Sequence, residues 1–296
     1  MALYNKKKKK TSTEVNKMYN FPIGVMMESF KTTTREAIEK AVKIGAKGMQ
    51  MYSTKGEHAP ENMTKEKISE LMDMMNSNGL IFSAICGDLG MGFGNPEKNH
   101  MLIEKSKRIM ELAKELGTDI VTTHIGVVPA DKEHPRYKIM PEACGELCEF
   151  ADSIGSHFAI ETGPETSAVL KEFLDSLGSK GVAVNLDPAN LVMVTGDDPV
   201  GAVYNLREYI VHTHAKDGIK LLDRNPEIIY GIIEDEIVSG DAFKEVPLGQ
   251  GSVPFKEYLE ALDDIGYKGF LTIEREVGEN PAADIELAAN FLRGFM

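Results

Sequence analysis

Four residues in the second half of the chain are of types that hold a metal ion or move protons: Glu161, Asp187, His214 and Glu274. Each closes a short apolar run, reading AIE, VNLD, VHTH and LTIE in turn. Asp187 follows Glu161 by 26 residues, His214 follows Asp187 by 27, and Glu274 lies 60 residues further on. A strand-plus-helix unit takes roughly 30 residues, so the intervals correspond to one unit, one unit and two. At the tips of parallel strands, three carboxylates and one imidazole would converge on a point. Oxygen and nitrogen ligands without a thiolate suit a divalent ion such as Mn²⁺ or Mg²⁺. Taken singly, each residue has an ordinary explanation as a loop cap or ion-pair partner. Together they occupy corresponding positions in their units, and that favours one shared site.

The elements that would position them alternate from residue 21 to the end. Helical stretches close in a glycine and a strand begins within a few residues: IGAKG at Gly45, NGLI at Gly79, LGTDI at Gly117, IGSHF at Gly155, LGSKG at Gly178 and IGYKG at Gly266. Glycine there takes the left-handed conformation that ends a helix. Strands are expected at 21–27, 48–53, 80–86, 119–125, 157–161, 182–187, 210–215 and 270–275. Several are near-continuous apolar runs, as in a parallel sheet buried on both faces. Between them run amphipathic helices, with Leu102, Ile109, Ala113 and Leu116 on one stripe and Ile68, Leu71, Met72 and Met75 on another. Thr33 and Glu36 have the spacing of a capping box. Eight strands alternating with eight helices predict an α/β fold, a single-domain (β/α)8 TIM barrel over 19–296; an open doubly wound sheet is the alternative. The rhythm breaks after the seventh strand, where about 219–252 reads as an insertion over the C-terminal mouth. Loops of such length are usually functional or disordered.

Composition narrows the class. The chain has 296 residues and 42% hydrophobic content, enough for one large core. Cys86, Cys144 and Cys148 do not form a disulfide framework at this length, and a reducing cytoplasm is the expected compartment. Cys144 and Cys148 share a helix face and read as small buried apolar residues, and the 16 methionines as core filler. No stretch approaches the roughly 20 apolar residues of a membrane span. Residues 1–18, with Lys6 to Lys10 in a row and no apolar segment after them, read as a disordered lysine-rich tail rather than a signal peptide. That tail holds six lysines and one glutamate, leaving 27 of the 33 basic and 45 of the 46 acidic residues in the rest. A body at −18 repels a phosphate backbone, so nucleic acid is not the expected partner.

The motifs IETG, NLDPAN, HTHAKDG, PLGQGSVPF and LTIERE, in that order, resemble the xylose-isomerase-like barrel superfamily of sugar isomerases and epimerases, over essentially the whole chain after the tail. The resemblance implies that Glu161, Asp187, His214 and Glu274 bind one divalent metal, Mn²⁺ first, with Mg²⁺, Co²⁺ or Zn²⁺ as substitutes. In the ketose 3-epimerase branch the two glutamates are also the acid/base pair. The endonuclease IV branch holds three zinc ions with extra His and Asp ligands, and this sequence departs from it. It has Cys86-Gly87-Asp88 where a histidine would stand, Asn190 three residues after Asp187, and GQGS without an Asp-x-His pair. The ketose 3-epimerases also tend to have histidine at the position of Asn190.

The expected chemistry is proton abstraction beside the carbonyl of a sugar or sugar phosphate, through a metal-stabilised enediolate. Carboxylates on the two sides of the substrate would give epimerisation. Proton return to the neighbouring carbon gives isomerisation, and loss of a β-hydroxyl gives dehydration. Glu161 and Glu274 are the acid/base candidates; His124, Asn190 and Lys216 are the substrate-binding candidates. Lys216 and Asp217 have an alternative as partners of each other or of the loop. His212 points the same way as His214, and Arg275 points away from Glu274, by strand alternation. GMGFG at 90–94 is weak as a phosphate turn and is expected to shape the pocket mouth. Competing functions are a lyase of the same superfamily, inosose-dehydratase-like or C-glycoside-cleaving, and a non-catalytic sugar-binding barrel. A homo-oligomer is expected; a membrane partner is not.

Overall fold

The computed structural model describes residues 18–234 and 240–296; the lysine run at 6–10 lies outside them. Eight parallel strands close a barrel: β1 (Ile23–Met26), β2 (Gly48–Tyr52), β3 (Ile81–Cys86), β4 (Ile120–Thr123), β5 (His157–Glu161), β6 (Val182–Leu186), β7 (Ile210–Ala215) and β10 (Leu271–Ile273). Strand follows strand in chain order, and β10 closes the ring between β7 and β1. The expected strands are all present, β5 and β7 with the expected bounds and the others shorter by one or two residues at an end.

Around the barrel lie α1 (Thr34–Lys43), α2 (Lys65–Ser77), α3 (Pro96–Glu115), α4 (Pro135–Ser153), α5 (Ser167–Leu177), α6 (Pro188–Asn190), α7 (Pro199–Asn205), α8 (Pro226–Ile229), α9 (Phe255–Asp264) and α10 (Pro281–Arg293). Local chemistry sets their ends. Thr33 and Glu36 form the capping box that opens α1, satisfying amides left free in a first turn. The six glycines expected to close helices all have positive φ, between +63° and +79°. Among the described residues, no helix is long and apolar enough to cross a membrane.

Strand alternation divides the core in two. Met49 and Met51 are fully buried among the apolar side chains between sheet and helices, as are Cys144 and Cys148 on α4. The inward position between the two methionines is Gln50, and the barrel interior continues with Thr122, Asn185, His212 and Thr272, all buried. Barrel interiors are usually filled by bulky branched side chains. Here a polar layer lies beneath the C-terminal mouth, bonded within itself and upward to Glu161 and His214.

The insertion after β7 is more ordered than a bare loop. β8 (Asp217–Lys220) and β9 (Phe243–Val246) pair as an antiparallel ribbon outside the barrel, with α8 between them. Asp217 fastens its base: the carboxylate accepts backbone N–H bonds from Gly218, Gly249, Gly251 and Val253 at 2.9–3.1 Å. A Cβ on Gly251 would lie 2.1 Å from Asp217 Oδ1, so the turn needs glycine there. Of the two alternatives for Asp217, bonding to the loop is the one observed.

Candidate active site

Each member of the quartet stands at the C-terminal end of its strand, the face on which barrel enzymes place their chemistry. Glu161 ends β5 and His214 lies one residue before the end of β7; Asp187 and Glu274 directly follow β6 and β10. One donor atom from each lies within 4.8 Å of all the others, and all four residues are at most 7% exposed. His214 Nδ1 is the hub, 3.5 Å from Glu161 Oε1, 3.3 Å from Asp187 Oδ2 and 3.2 Å from Glu274 Oε2. Six ligands at 2.0–2.1 Å from a small divalent ion sit roughly 3–4 Å from one another, so the cluster has the dimensions of a metal site.

Supporting hydrogen bonds aim these atoms. Asp187 Oδ1 accepts from the amides of Ala189 and Asn190, capping α6, which leaves Oδ2 for the cluster. His214 Nε2 is 2.9 Å from Gln50 Oε1, and Gln50 Nε2 donates to Thr122 Oγ1 at 2.8 Å. Gln50 Oε1 can only accept, so Nε2 carries a proton, and a metal that displaced the proton on Nδ1 would meet a lone pair there. Asn185 Nδ2 is 3.3 Å from the same Nε2, a contact with the opposite requirement. The shorter bond decides, because Asn185 Nδ2 already donates to Glu161 Oε2 at 3.0 Å. His212, on the same side as expected, is held between Asn185 Oδ1 and Thr272 Oγ1 at 2.9 and 2.8 Å. Burial, then the neighbouring His214, push its pKa well below the usual histidine value, so it is a neutral strut.

The charges are strongly coupled. Burial disfavours the Glu274 carboxylate, but His214 and Lys216 outweigh it and hold the group well below the usual range. Burial likewise opposes a charged His214, and Glu274 and Glu161 overcome it in the metal-free protein. Three converging carboxylates and a lone pair are the donor set a divalent cation would neutralise, and the second-layer partners are of the kind that fix metal-ligand orientation.

The remaining expected residues take varied positions. His124 Nε2 is 3.8 Å from Glu161 Oε1, Nδ1 is 3.3 Å from Asp88 Oδ2, and Tyr230 of the insertion packs on its ring at 5.7 Å. Burial lowers its pKa, but Glu161 and Asp88 prevail and raise it to about 9. Asn190 donates Nδ2 to Glu161 Oε1 at 3.2 Å and to the Thr162 carbonyl at 3.3 Å. Lys216 places its ammonium on Glu274 and Glu276, at 3.0 and 2.6 Å. In this state both bind the carboxylates of the site. Arg275 faces away, bonded to Glu245 and Asp284. Gln50, Asn185 and Tyr230 are site residues that the sequence pattern did not single out. Gln50 and Asn185 carried a signal, a lone amide at the inward position of an apolar strand; Tyr230 carried none.

Several solved structures share this fold. A xylose isomerase domain protein from Planctomyces limnophilus superposes with a TM-score of 0.74 at 25% identity, covering 93% of this chain and 96% of its own. A probable 3-DHS dehydratase from Bacillus anthracis gives 0.72 at 18% identity, over 92% and 98%. The apo form of a 3-keto-D-glucoside 4-epimerase from E. coli gives 0.70 at 17% identity, over 93% and 100%. The sequence itself matches the model of the xylose isomerase-like TIM barrel across residues 38–295, and the chain belongs to that family.

Proposed function

We propose that the protein is a divalent-metal-dependent sugar isomerase or epimerase that moves a proton beside a carbonyl. One observation carries this: four buried donors of metal-binding type converge at the catalytic end of the barrel, each held by second-layer hydrogen bonds. Glu161, Asp187, His214 and Glu274 would hold the ion, which supplies Lewis acidity toward the carbonyl and hydroxyl oxygens of a sugar. Mn²⁺ is the first candidate. Two of the structural neighbours are named as an epimerase and a probable dehydratase.

The protein's own groups divide the work. Glu161 and Glu274 take and return the proton, each with one oxygen oriented by a neighbour, Asn185 on Glu161 and Lys216 on Glu274. His124 lies beside Glu161 on the wall of an adjoining cavity, within reach to donate to a substrate oxygen. Lys216 and Asn190 would adjust the two carboxylates and meet the substrate as it enters. Tyr230 roofs the site and excludes water.

Two measurements test this. Metal analysis after dialysis should return one divalent ion per chain, and added Mn²⁺ should raise the melting temperature; an ion-free protein indifferent to Mn²⁺ removes the basis of the proposal. Incubation with ketoses and inososes in D₂O should give deuterium at carbon without loss of water, whereas a dehydrated enone or dione would identify a lyase.

A further inference from the structure

Glu274 is the member of the quartet with the least regular structure around it. Glu161 and His214 lie inside strand ladders, paired with Asn185 and Thr272. Asp187 caps α6, and its N–H donates to Thr162 Oγ1 at 2.8 Å. Glu274 lies one residue past the last pair of β10, Ile273 with Ala215, and its N–H reaches the Ala215 carbonyl at 3.3 Å. The chain then runs without strand or helix to α10. Backbone outside a ladder takes its direction from whatever bonds its neighbours.

The two residues after Glu274 are held from three sides. Arg275, only 7% exposed, donates its backbone N–H at 2.9 Å to Oγ of Ser29, on the turn after β1. Its guanidinium joins Glu245 of β9 through Nη1 at 2.5 Å and Asp284 of α10 through Nε at 2.8 Å. Glu245 also accepts the N–H of Glu276 at 3.2 Å. One buried carboxylate therefore grips the side chain of residue 275 and the backbone of residue 276. A planar guanidinium can serve two carboxylates in fixed directions, as an ammonium cannot. Gly278 closes over the pair at φ +114°, where a Cβ would lie 2.8 Å from Asp284 Oδ2 and 3.0 Å from Arg275 Nη2. Apolar residues in place of a buried ion pair are often as stable or more so, so stability alone does not account for this one. The bonds run through the foot of the insertion, at β9, and not through α8 or Tyr230.

We propose that Arg275 and Glu245 are positioning residues: they fix the backbone beyond β10 and so aim the Glu274 carboxylate at the other three donors. The consequence for the reaction rests on the isomerase or epimerase function, in which Glu274 holds the ion and moves the proton; the consequence for geometry does not. Glu245 thereby gives β9 a duty apart from shaping the cavity, the support of the last working residue of a barrel strand.

Mn²⁺ calorimetry on dialysed protein, with crystal structures of the same variants, tests it. Glu245→Leu should weaken Mn²⁺ binding about tenfold, as loss of an outer partner of a metal ligand does. It should also displace the Glu274 carboxylate by about 1 Å, the scale on which a misplaced group loses its effect, with Glu161 and His214 in place. Glu245→Gln keeps an acceptor for the guanidinium and for the Glu276 N–H, and should bring both readouts back near wild type. Asp284→Ala removes the other partner of the same guanidinium but leaves Glu245 on Glu276. It should cost comparable stability in urea while weakening Mn²⁺ binding clearly less than Glu245→Leu. Equal weakening in the two would reduce Arg275 to a structural ion pair and overturn the proposal. So would a folded Glu245→Leu protein whose Glu274 carboxylate stays in place or whose Mn²⁺ affinity matches wild type. If Glu245→Leu does not fold, Arg275→Lys, which keeps the buried charge but not the fork, is read by the same two measurements. Wild type that binds no Mn²⁺ fails the proposed function, and the position of Glu274 in the crystal structures then decides the positioning role by itself.

Discussion

Gln50→Leu should weaken metal binding by removing the acceptor that sets the His214 tautomer. The amide takes the Nε2 proton at 2.9 Å and donates to Thr122 Oγ1 at 2.8 Å, in the buried interior of the barrel. Leucine is similar in size and offers neither bond. Loss of such a partner typically costs roughly 10–100-fold in metal affinity, about 1.4–2.7 kcal/mol. It also leaves two buried polar groups without partners, at ~1–3 kcal/mol each, so the metal-free protein should lose about 2–6 kcal/mol. Gln50→Glu keeps an acceptor and should retain affinity. Manganese calorimetry on dialysed protein reads the first effect and urea unfolding of the same samples reads the second. A folded Gln50→Leu protein with unchanged Mn²⁺ affinity would refute the assignment of Nδ1 as the ligating atom.

Glu161→Gln should abolish solvent deuterium exchange into substrate and lower Mn²⁺ affinity; undiminished turnover would exclude Glu161 from the acid/base pair. Asp217→Ala should destabilise the protein by about 3 kcal/mol, since four backbone N–H groups lose a charged acceptor and buried unpaired donors are costly; urea midpoints read this, and a neutral effect would mean the insertion is held elsewhere. Glu165 has its pKa raised to about 8 by burial, against the opposing bond from Val128 N–H. A raised folded pKa is stabilising below the unfolded value and lost as pH climbs through the folded one. Glu165→Gln should therefore gain in melting temperature over wild type as pH rises from about 4.5 to 8, and a flat difference would contradict the burial of that carboxyl.

What was legible in the sequence follows from how each feature is encoded. The strands and the quartet are local: an apolar run ending in an acid or a histidine fixes both the element and the direction of its last side chain. The barrel then brings the four tips together, with Asn185 beside Glu161 and Thr272 beside His214 in the strand register. The polar layer beneath them was harder to see, because Gln50 reaches His214 across 164 residues of sequence and neither residue announces the other. Asn190 and Lys216 lie beside the quartet, but their bonds to Glu161 and Glu274 depend on side-chain direction within turns. No periodicity encodes that direction.

The insertion was the least legible part, and its position explains why it matters. Among the described residues its strands pair only with each other, so no barrel register constrains what lies between them. It is anchored at its base by Asp217, and its α8 reaches back to Arg136 through Glu227, with Tyr230 on the His124 ring. The quartet therefore rests on strands whose geometry the barrel dictates, while the cavity beside it is completed by a segment free to vary in length and composition. Reaction class should track the strand ends and substrate choice the insertion. Tyr230→Ala makes that separable: it removes the roof over His124 without touching a metal-ligand candidate. Manganese affinity should stay within about twofold of wild type, whereas sugar binding by calorimetry should weaken about tenfold, the loss of roughly one aromatic contact with its excluded water. Equal losses of metal and sugar binding would mean that the insertion supports the quartet itself rather than the substrate.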